Sequence, residues 1–468
     1  MTEFLSPSEA LMWSAEKDPW LSSGMGSVVF LDEAMDFERF RASMLEASNT
    51  LLRLREKVEG GIGIGPPRWV IDPNFDIDNH VRQEKLPRSS NRRDVADLAA
   101  QIIAEPFDLE QPLWLFVAVK GRKGSKVPGA VVMKLHHTIT DGIGAMTLAE
   151  KYLDFERNPP PGPESDIEPP EADDPENAVK SALHEIDYVA RRQFDVAREA
   201  LAEVALWGAD KGRIKLAAER AVAVAKSVAN QTGLSDSPGA GAGSPLWTNR
   251  SAERHLEFFD VSLTDMKAAA KGLGGSINDI FVTGSVMAAA AYHRERAAGA
   301  ESFNVSFIMS TRSDNGEEGG NAFAPIPFNI AVAERSPADW FAVVQNAMAD
   351  KLKDARASDT NTVDLMAQFA SYLPDAAITK LGRARAAKLD WATSNLRGAP
   401  IPIFISGGQV THMYPVGPLA GTAFNLTLMS YMDEMNGGLF VDPKAVEEPA
   451  ELRMHMEAAY ADLIAAGT

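Results

Sequence analysis

Residues 158–175 read NPPPGPESDIEPPEADDP. Proline locks φ and removes a backbone donor, and carboxylates resist burial without partners. No packed core can take such a run through its middle, so the segment is expected to be an exposed linker. It divides the 468 residues into pieces that must each build a core. Three regions follow: 1–157, a linker with helices over 158–249, and 250–468.

The first region shows mixed periodicity. FERFRASMLEASNTLLRLRE, residues 37–56, spaces Phe37, Phe40, Met44, Leu51 and Leu54 on one helical face. WLFVAV (114–119) and GAVVMKL (129–135) are short apolar runs separated by the charged turn GRKGSK. They read as buried strands. GAMTLAEKYLDFE, residues 144–156, reads as the helix that follows. Residues 176–231 mix Ala, Val and Leu with balanced charges and are expected to form one or two amphipathic helices. GLSDSPGAGAGSP then marks a flexible break. Beyond it, VSFIMS, PIPFNIAVA and GTAFNLTLMSYM read as strands. FVTGSVMAAAAYHRERAA and ELRMHMEAAYADLIAA read as helices. The class is α/β: two mixed halves joined by a helical crossover.

Composition excludes several functions. The net charge is −19, which argues against a nucleic-acid partner, since those need a basic face. There is no cysteine, so disulfides, thiolate metal sites and thiol nucleophiles are excluded. No signal peptide opens the chain, and no apolar run approaches the length of a spanning helix. The expectation is a cytoplasmic protein whose contact with a membrane or lipid body is at most peripheral.

The chemistry concentrates at KLHHTITDGIGA, residues 134–145. Along a strand, side chains alternate faces. Val131, Met133, Leu135 and His137 share one face; Val132, Lys134 and His136 share the other. The two histidines diverge, which makes joint ligation of one metal awkward, and no third ligand is suggested. His137, on the apolar face, can act as a base near neutral pH. Asp141 and Gly142 sit where the strand turns into the next helix. A bland reading stays open: a core histidine, a solvent-side histidine and an N-cap aspartate. No G-x-S-x-G elbow exists, so a covalent acyl-enzyme is unsupported. GGIGIG (60–65) lacks the spacing of a nucleotide fingerprint and reads as a hairpin turn. Asp76 and Asp78 read as surface acids rather than a metal pair.

These residues resemble the bacterial wax ester synthase/diacylglycerol acyltransferase family, within the CoA-dependent acyltransferase superfamily. LSPSEALMW, PPRWVIDPNFDIDNHVR, PLW, HHTITDG, GGSINDIFV, STR, TSNLRGAP, YPVGPL and FNLTLMSY occur in the family's order over nearly the whole chain. The resemblance implies two lobes, each similar to chloramphenicol acetyltransferase, with mixed sheets and an active-site tunnel between them. It implies an O-acyltransferase moving a long-chain acyl group from acyl-CoA to diacylglycerol or a long-chain alcohol. Acyl-CoA is then a co-substrate, and no cofactor or metal is implied. His137 matches the general base, Asp141 the residue holding the loop, and His136 and Gly142 the motif's supporting positions. Asn278 and Asp279 match an N-D motif, with Asn278 a polar support for the developing oxyanion or else a helix cap. A placed oxyanion donor is worth about 2.7–4 kcal/mol.

The chain departs from the family at Ser394, Asn395, Leu396, Arg397, Gly398 and Ala399, where the pattern is S-N-V-P-G-P, and at Leu115, where an acid usually follows PLW. Ser394, Asn395 and Arg397 are expected beside the substrate, with Arg397 bearing on the acceptor. Two other functions compete: a non-catalytic acyl-CoA or lipid-binding homologue, and an acyltransferase of the same fold with another acceptor, such as a polyketide, sugar or amine.

Overall fold

A computed structural model describes residues 3–60, 67–122, 124–139, 148–160, 170, 243–310, 323–357 and 375–468. Asp141, Gly142 and the crossover helices expected over 176–231 lie outside the described residues.

Two six-stranded mixed sheets form the body. The first contains β2 (Gly24–Leu31), β5 (Val81–Lys85), β6 (Trp114–Lys120), β7 (Gly129–His136), β12 (Phe404–Ile405) and β13 (Gly408–Val416). Its order is β12-β13-β2-β7-β6-β5, antiparallel except for the β5–β6 pair. The second contains β8 (His255–Ser262), β9 (Ser302–Ser310), β10 (Phe323–Ala331), β11 (Trp391–Arg397), β14 (Phe424–Tyr431) and β15 (Glu434–Val441). Its order is β10-β9-β11-β14-β15-β8, with β11 parallel to both β9 and β14. A small sheet joins β1 (Glu3–Phe4), β3 (Glu56–Glu59) and β4 (Arg68–Ile71). Glu59 lies opposite Arg68 in the antiparallel β3–β4 pair, and residues 61–65 of the GGIGIG stretch, expected as a hairpin turn, lie outside the described residues.

The apolar strands are buried on both faces because helices cover them. α2 (Phe37–Thr50) packs Phe40 and Met44 into one core with Val131, Met133 and Leu135. α4 (Arg92–Ala104) packs Val95, Ala99 and Ile103 against Ala130 and Val132 on the opposite face. Alternation along β7 is thus realised residue by residue. α1 (Pro7–Glu16) and α4 both start with capping boxes, Ser6/Glu9 and Asn91/Asp94. α3 (Ile77–His80) is a single turn capped by Asp76, and Asp78 pairs with Arg41 at 2.5 Å.

The second sheet is covered by α5 (Leu263–Gly272), α6 (Ile277–Glu295), α7 (Pro337–Ala357) and α9 (Pro449–Gly467). α6 and α9 contribute Ile280, Phe281, Val286, Met456 and Tyr460 to its core. α8 (Asp375–Ala386) packs instead against α1, through Lys17–Asp375 and Asp18–Arg383 ion pairs.

Three expectations need correction. The boundary at residue 250 does not separate the lobes: β12 and β13 come from the later region but belong to the first sheet, with Tyr414 opposite Val28. Nothing in the sequence of an edge-adjacent strand names its partner, so this exchange is invisible without the fold. The helix expected through residue 156 is helical at 148–149 and then turns, with Asp154 bridging to Phe404. TSNLRGAP, whose Ser394, Asn395 and Arg397 are all expected beside the substrate, is a strand, β11, through Arg397, so its side chains alternate between two faces.

Candidate active site

The two histidines diverge at the end of β7, as alternation demands. His136 is fully buried and His137 half-buried. Their backbone N–H groups donate to Leu113 O (2.9 Å) and Ser23 O (3.1 Å), so the strand end is tied to neighbours on both sides.

His136 is locked. The backbone N–H of Thr138 donates to its Nδ1 at 3.2 Å, and the Thr138 hydroxyl lies 2.7 Å from the same nitrogen. Nδ1 is therefore an acceptor, and Nε2 carries the hydrogen that reaches Glu16 Oε2 at 3.0 Å. Phe107 packs edge-on to the ring at 5.5 Å. Glu16, the last residue of α1, also accepts from Ser22 Oγ (2.9 Å) and Ser23 N–H (2.8 Å). Burial pushes its carboxyl up, but the bonds from His136, Ser23 and Ser22 together hold it below its ordinary value. Ser23 thus binds Glu16 through its N–H and His137 through its carbonyl. The buried acid, the buried histidine and the half-buried histidine are one connected unit.

Lys134 shares the face of His136. Its ammonium donates to the Glu105 carbonyl and sits 4.3 Å from the Phe107 ring centre. Burial pushes it down to about 8.

Two other motifs build the ground under this strand. His80, from FDIDNH, places Nδ1 2.9 Å from the Trp114 carbonyl and stacks on that indole at 4.6 Å. Trp114, from PLW, donates from Nε1 to Leu54 O at 2.8 Å. Burial holds the His80 imidazole below its usual value. Both motifs act as packing around β6.

His137 opens on a cavity of about 810 Å³ between the sheets. One wall is Met25, Met133, Leu135 and Phe116; the other is Ala392, Ser394, Leu396, Asn425, Thr427 and Met429. α1 adds Leu11, Met12 and Ala15, and α8 adds Ile378, Leu381, Gly382, Arg385 and Ala386. An apolar chamber with few polar groups and one imidazole is suited to an acyl chain and a proton transfer.

The remaining expected site residues divide. Ser394 lines the cavity, whereas Asn395 and Arg397 are exposed and do not. Along the second half of β11, Ser394 and Leu396 line the cavity, while Asn395 and Arg397 alternate to the exposed side. Arg397 therefore does not line this cavity. Gly398 is required, since a Cβ there would lie 2.2 Å from Ser430 O. Asn278 and Asp279 are half-buried at the start of α6, away from the cavity lining. Asp279 closes a capping box with Ser276 (Ser276 N–H to Oδ2, 2.8 Å), so the cap is Ser276 and not Asn278. Sequence reasoning missed Glu16, Asn425 and Arg385. The capping box S-P-S-E marked the start of α1, but nothing marked its last residue as a partner for a histidine 120 positions away.

Among the described residues, one trio has metal-ligand spacing: Asp260, His412 and Glu434. An Arg92 guanidinium nitrogen stands 2.9 Å from the His412 ring nitrogens, and Asp260 accepts from Tyr414 (2.8 Å) and Asn436 (2.8 Å). This is a satisfied polar cluster between the lobes. No described helix is long and apolar enough to cross a membrane.

Comparison with known proteins agrees with this geometry. The wax ester synthase/diacylglycerol acyltransferase catalytic domain model matches residues 5–281, and the WS/DGAT C-terminal domain model matches 319–464. A Mycobacterium tuberculosis protein bearing a diacylglycerol O-acyltransferase name is 28% identical over 436 residues, covering 92% of this chain and 85% of its own. A second from the same species is 26% identical over 456 residues, covering 96% and 92%. Among solved structures, the wax ester synthase/diacylglycerol acyltransferase from Marinobacter aquaeolei VT8 superposes with TM-score 0.62 at 18% identity, covering 99% of each chain. The first condensation domain of the calcium-dependent antibiotic synthetase gives 0.59 at 16%, covering 100% of this chain and 96% of that one. The fold is shared with both. With family models covering both lobes, the chain belongs to the wax ester synthase/diacylglycerol acyltransferase family.

Proposed function

We propose that the protein transfers a long-chain acyl group from acyl-CoA to the hydroxyl of diacylglycerol or a long-chain alcohol. The observation that carries this reading is the placement of His137 in the wall of the large apolar cavity. At about 810 Å³ it is near the upper end of the usual pocket range of roughly 300–1,000 Å³. The related chains' names and the family matches point to the same acceptors.

In the proposed reaction His137 takes the hydroxyl proton as the oxygen attacks the thioester carbonyl. The tetrahedral adduct collapses to the ester. The CoA sulfur leaves and receives the proton from His137. No acyl-enzyme forms, and nothing in the balance needs a cofactor. Glu16 and His136 hold the strand end on which His137 rides; Asp141 and Gly142 keep their motif assignments. Membrane or lipid-body contact, where the acceptors reside, would be peripheral.

The test incubates pure protein with labelled palmitoyl-CoA and either dioleoylglycerol or hexadecanol. Triacylglycerol or wax ester is expected. His137→Ala should cut turnover by about 10²–10⁴. Wild-type turnover in His137→Ala would remove the base assignment. Palmitoyl-CoA binding with no product from either acceptor would remove the activity.

A further inference from the structure

α8 presents a continuous stripe to the cavity: Ile378, Leu381, Gly382, Arg385 and Ala386. These are spaced i, i+3, i+4, i+7, i+8, one helical face. Four of the five are apolar or small, as an acyl chamber requires. The fifth is a guanidinium.

Arg385 is half-buried and has no ion-pair or hydrogen-bond partner among the described residues. Its neighbour Arg383, on the outer side, is paired with Asp18 at 2.8 Å and lies over Trp20 at 5.1 Å. The contrast within one helix turn is informative. Arg383 is accounted for by clasping α8 to α1, whereas the Arg385 guanidinium pairs with no charged group among the described residues. Burial lowers its proton affinity below the ordinary arginine value, with no carboxylate to offset it. A charge set in an apolar wall without a counter-ion is costly, and a ligand anion would remove that cost.

The stripe is also close-packed and fixed in place. A Cβ on Gly382 would lie 2.6 Å from Leu21, and one on Gly421 2.6 Å from Ala386. Leu21 lies two residues before Ser23, whose carbonyl holds His137. Arg385 and the half-buried His137 line the same cavity.

We propose that Arg385 is the counter-ion for a phosphate group of the ligand that fills this cavity. Guanidinium and phosphate pair bidentately, and arginine keeps its charge where lysine would lose it. The inference rests on the acyl-transfer reading for its ligand class. Phosphate can come from two sources, the acyl donor's CoA or the headgroup of an anionic lipid in the acceptor's place.

Isothermal titration separates them. Wild type, Arg385→Gln and Arg385→Lys would be titrated with palmitoyl-CoA, with S-palmitoyl-pantetheine (no phosphate), and with micellar dioleoyl phosphatidic acid. The expected result is palmitoyl-CoA affinity reduced about 10- to 100-fold in Arg385→Gln. It should be partly restored in Arg385→Lys and unchanged for S-palmitoyl-pantetheine. A loss confined to phosphatidic acid would support the phosphate site and assign it to the lipid. Equal loss for S-palmitoyl-pantetheine would reduce Arg385 to a packing residue and overturn the proposal. So would unchanged affinity for both phosphate ligands. If wild type binds phosphatidic acid but not palmitoyl-CoA, the acyl-donor reading fails while the arginine remains testable on the lipid.

Discussion

At the scale of single residues, Lys134 shows how far the fold bends ordinary chemistry to seat the histidines. Its ammonium is buried beside Phe107 and titrates near 8, against about 10.5 when solvated. Below pH 8 the charged form is carried into the core at a cost. Between pH 8 and 10.5 the native lysine has shed a proton that the unfolded chain keeps, so stability rises with pH, at about 1.4 kcal/mol per unit. Lys134→Met removes this dependence. The stability of Lys134→Met relative to wild type should fall by on the order of 2 kcal/mol from pH 7.5 to 9.5. Urea melts of both proteins at the two pH values read it, and a difference independent of pH would show that burial of the ammonium is not the cause. The parity that separates Lys134 and His136 from His137 was readable, because it depends only on the period of a strand. The Glu16–His136 bond was not, because it is made by a helix brought from 120 residues away. Arg397 misled for a related reason: the resemblance set it beside the substrate, and only the strand as folded decides which of its residues face the cavity.

At the scale of elements, α6 and α9 cross by sacrificing a side chain. Gly284 lies mid-helix, where glycine costs about 1 kcal/mol relative to alanine. Its position is explained by Tyr460: a Cβ would fall 2.2 Å from the ring. The ring cannot yield easily, since it stacks on Phe259 at 5.7 Å and donates to the Phe281 carbonyl at 3.0 Å. Gly284→Ala should therefore lose about 1–3 kcal/mol to overpacking despite its gain in helix propensity. A urea melt measures this, with Gly299→Ala as reference, since nothing lies within 4 Å of a Cβ there. If Gly284→Ala proved as stable as wild type, the ring would be more mobile than its contacts imply. The helices themselves were legible from periodicity and their capping residues. Their crossing was not, because a glycine in a helix announces a close approach without naming what approaches.

At the scale of the whole molecule, the lobes are interlocked rather than strung on a linker. β13 fills the edge of β2, placing Tyr414 opposite Val28 and Val416 opposite Gly26. Behind it the sheets nearly touch: a Cβ on Gly438 of β15 would lie 1.9 Å from Pro415 O. Phe30 and Tyr414 pack with Leu256 and Phe440 across the lobes. The proline-rich acidic run leads to the expectation of two separate pieces, yet a strand from the later region completes the first sheet, and only the fold shows it. The consequence concerns fragments. Residues 1–157 alone keep β2, β5, β6 and β7 but expose the whole edge of GMGSVVFL. A long apolar edge without a partner invites intermolecular pairing. That fragment should aggregate, seen as a void-volume peak on size exclusion and poor amide dispersion by NMR. Joining residues 403–417 through a flexible linker should return the missing strand and yield a monomer with dispersed amides. A monomeric, well-dispersed 1–157 fragment would mean that the first lobe does not depend on β13. The interlock also explains why the cavity can be shared. Its two walls are held at fixed spacing by a strand belonging to one lobe's sheet and the other's sequence, so His137 and the β11–β14 wall keep their separation without relying on the linker.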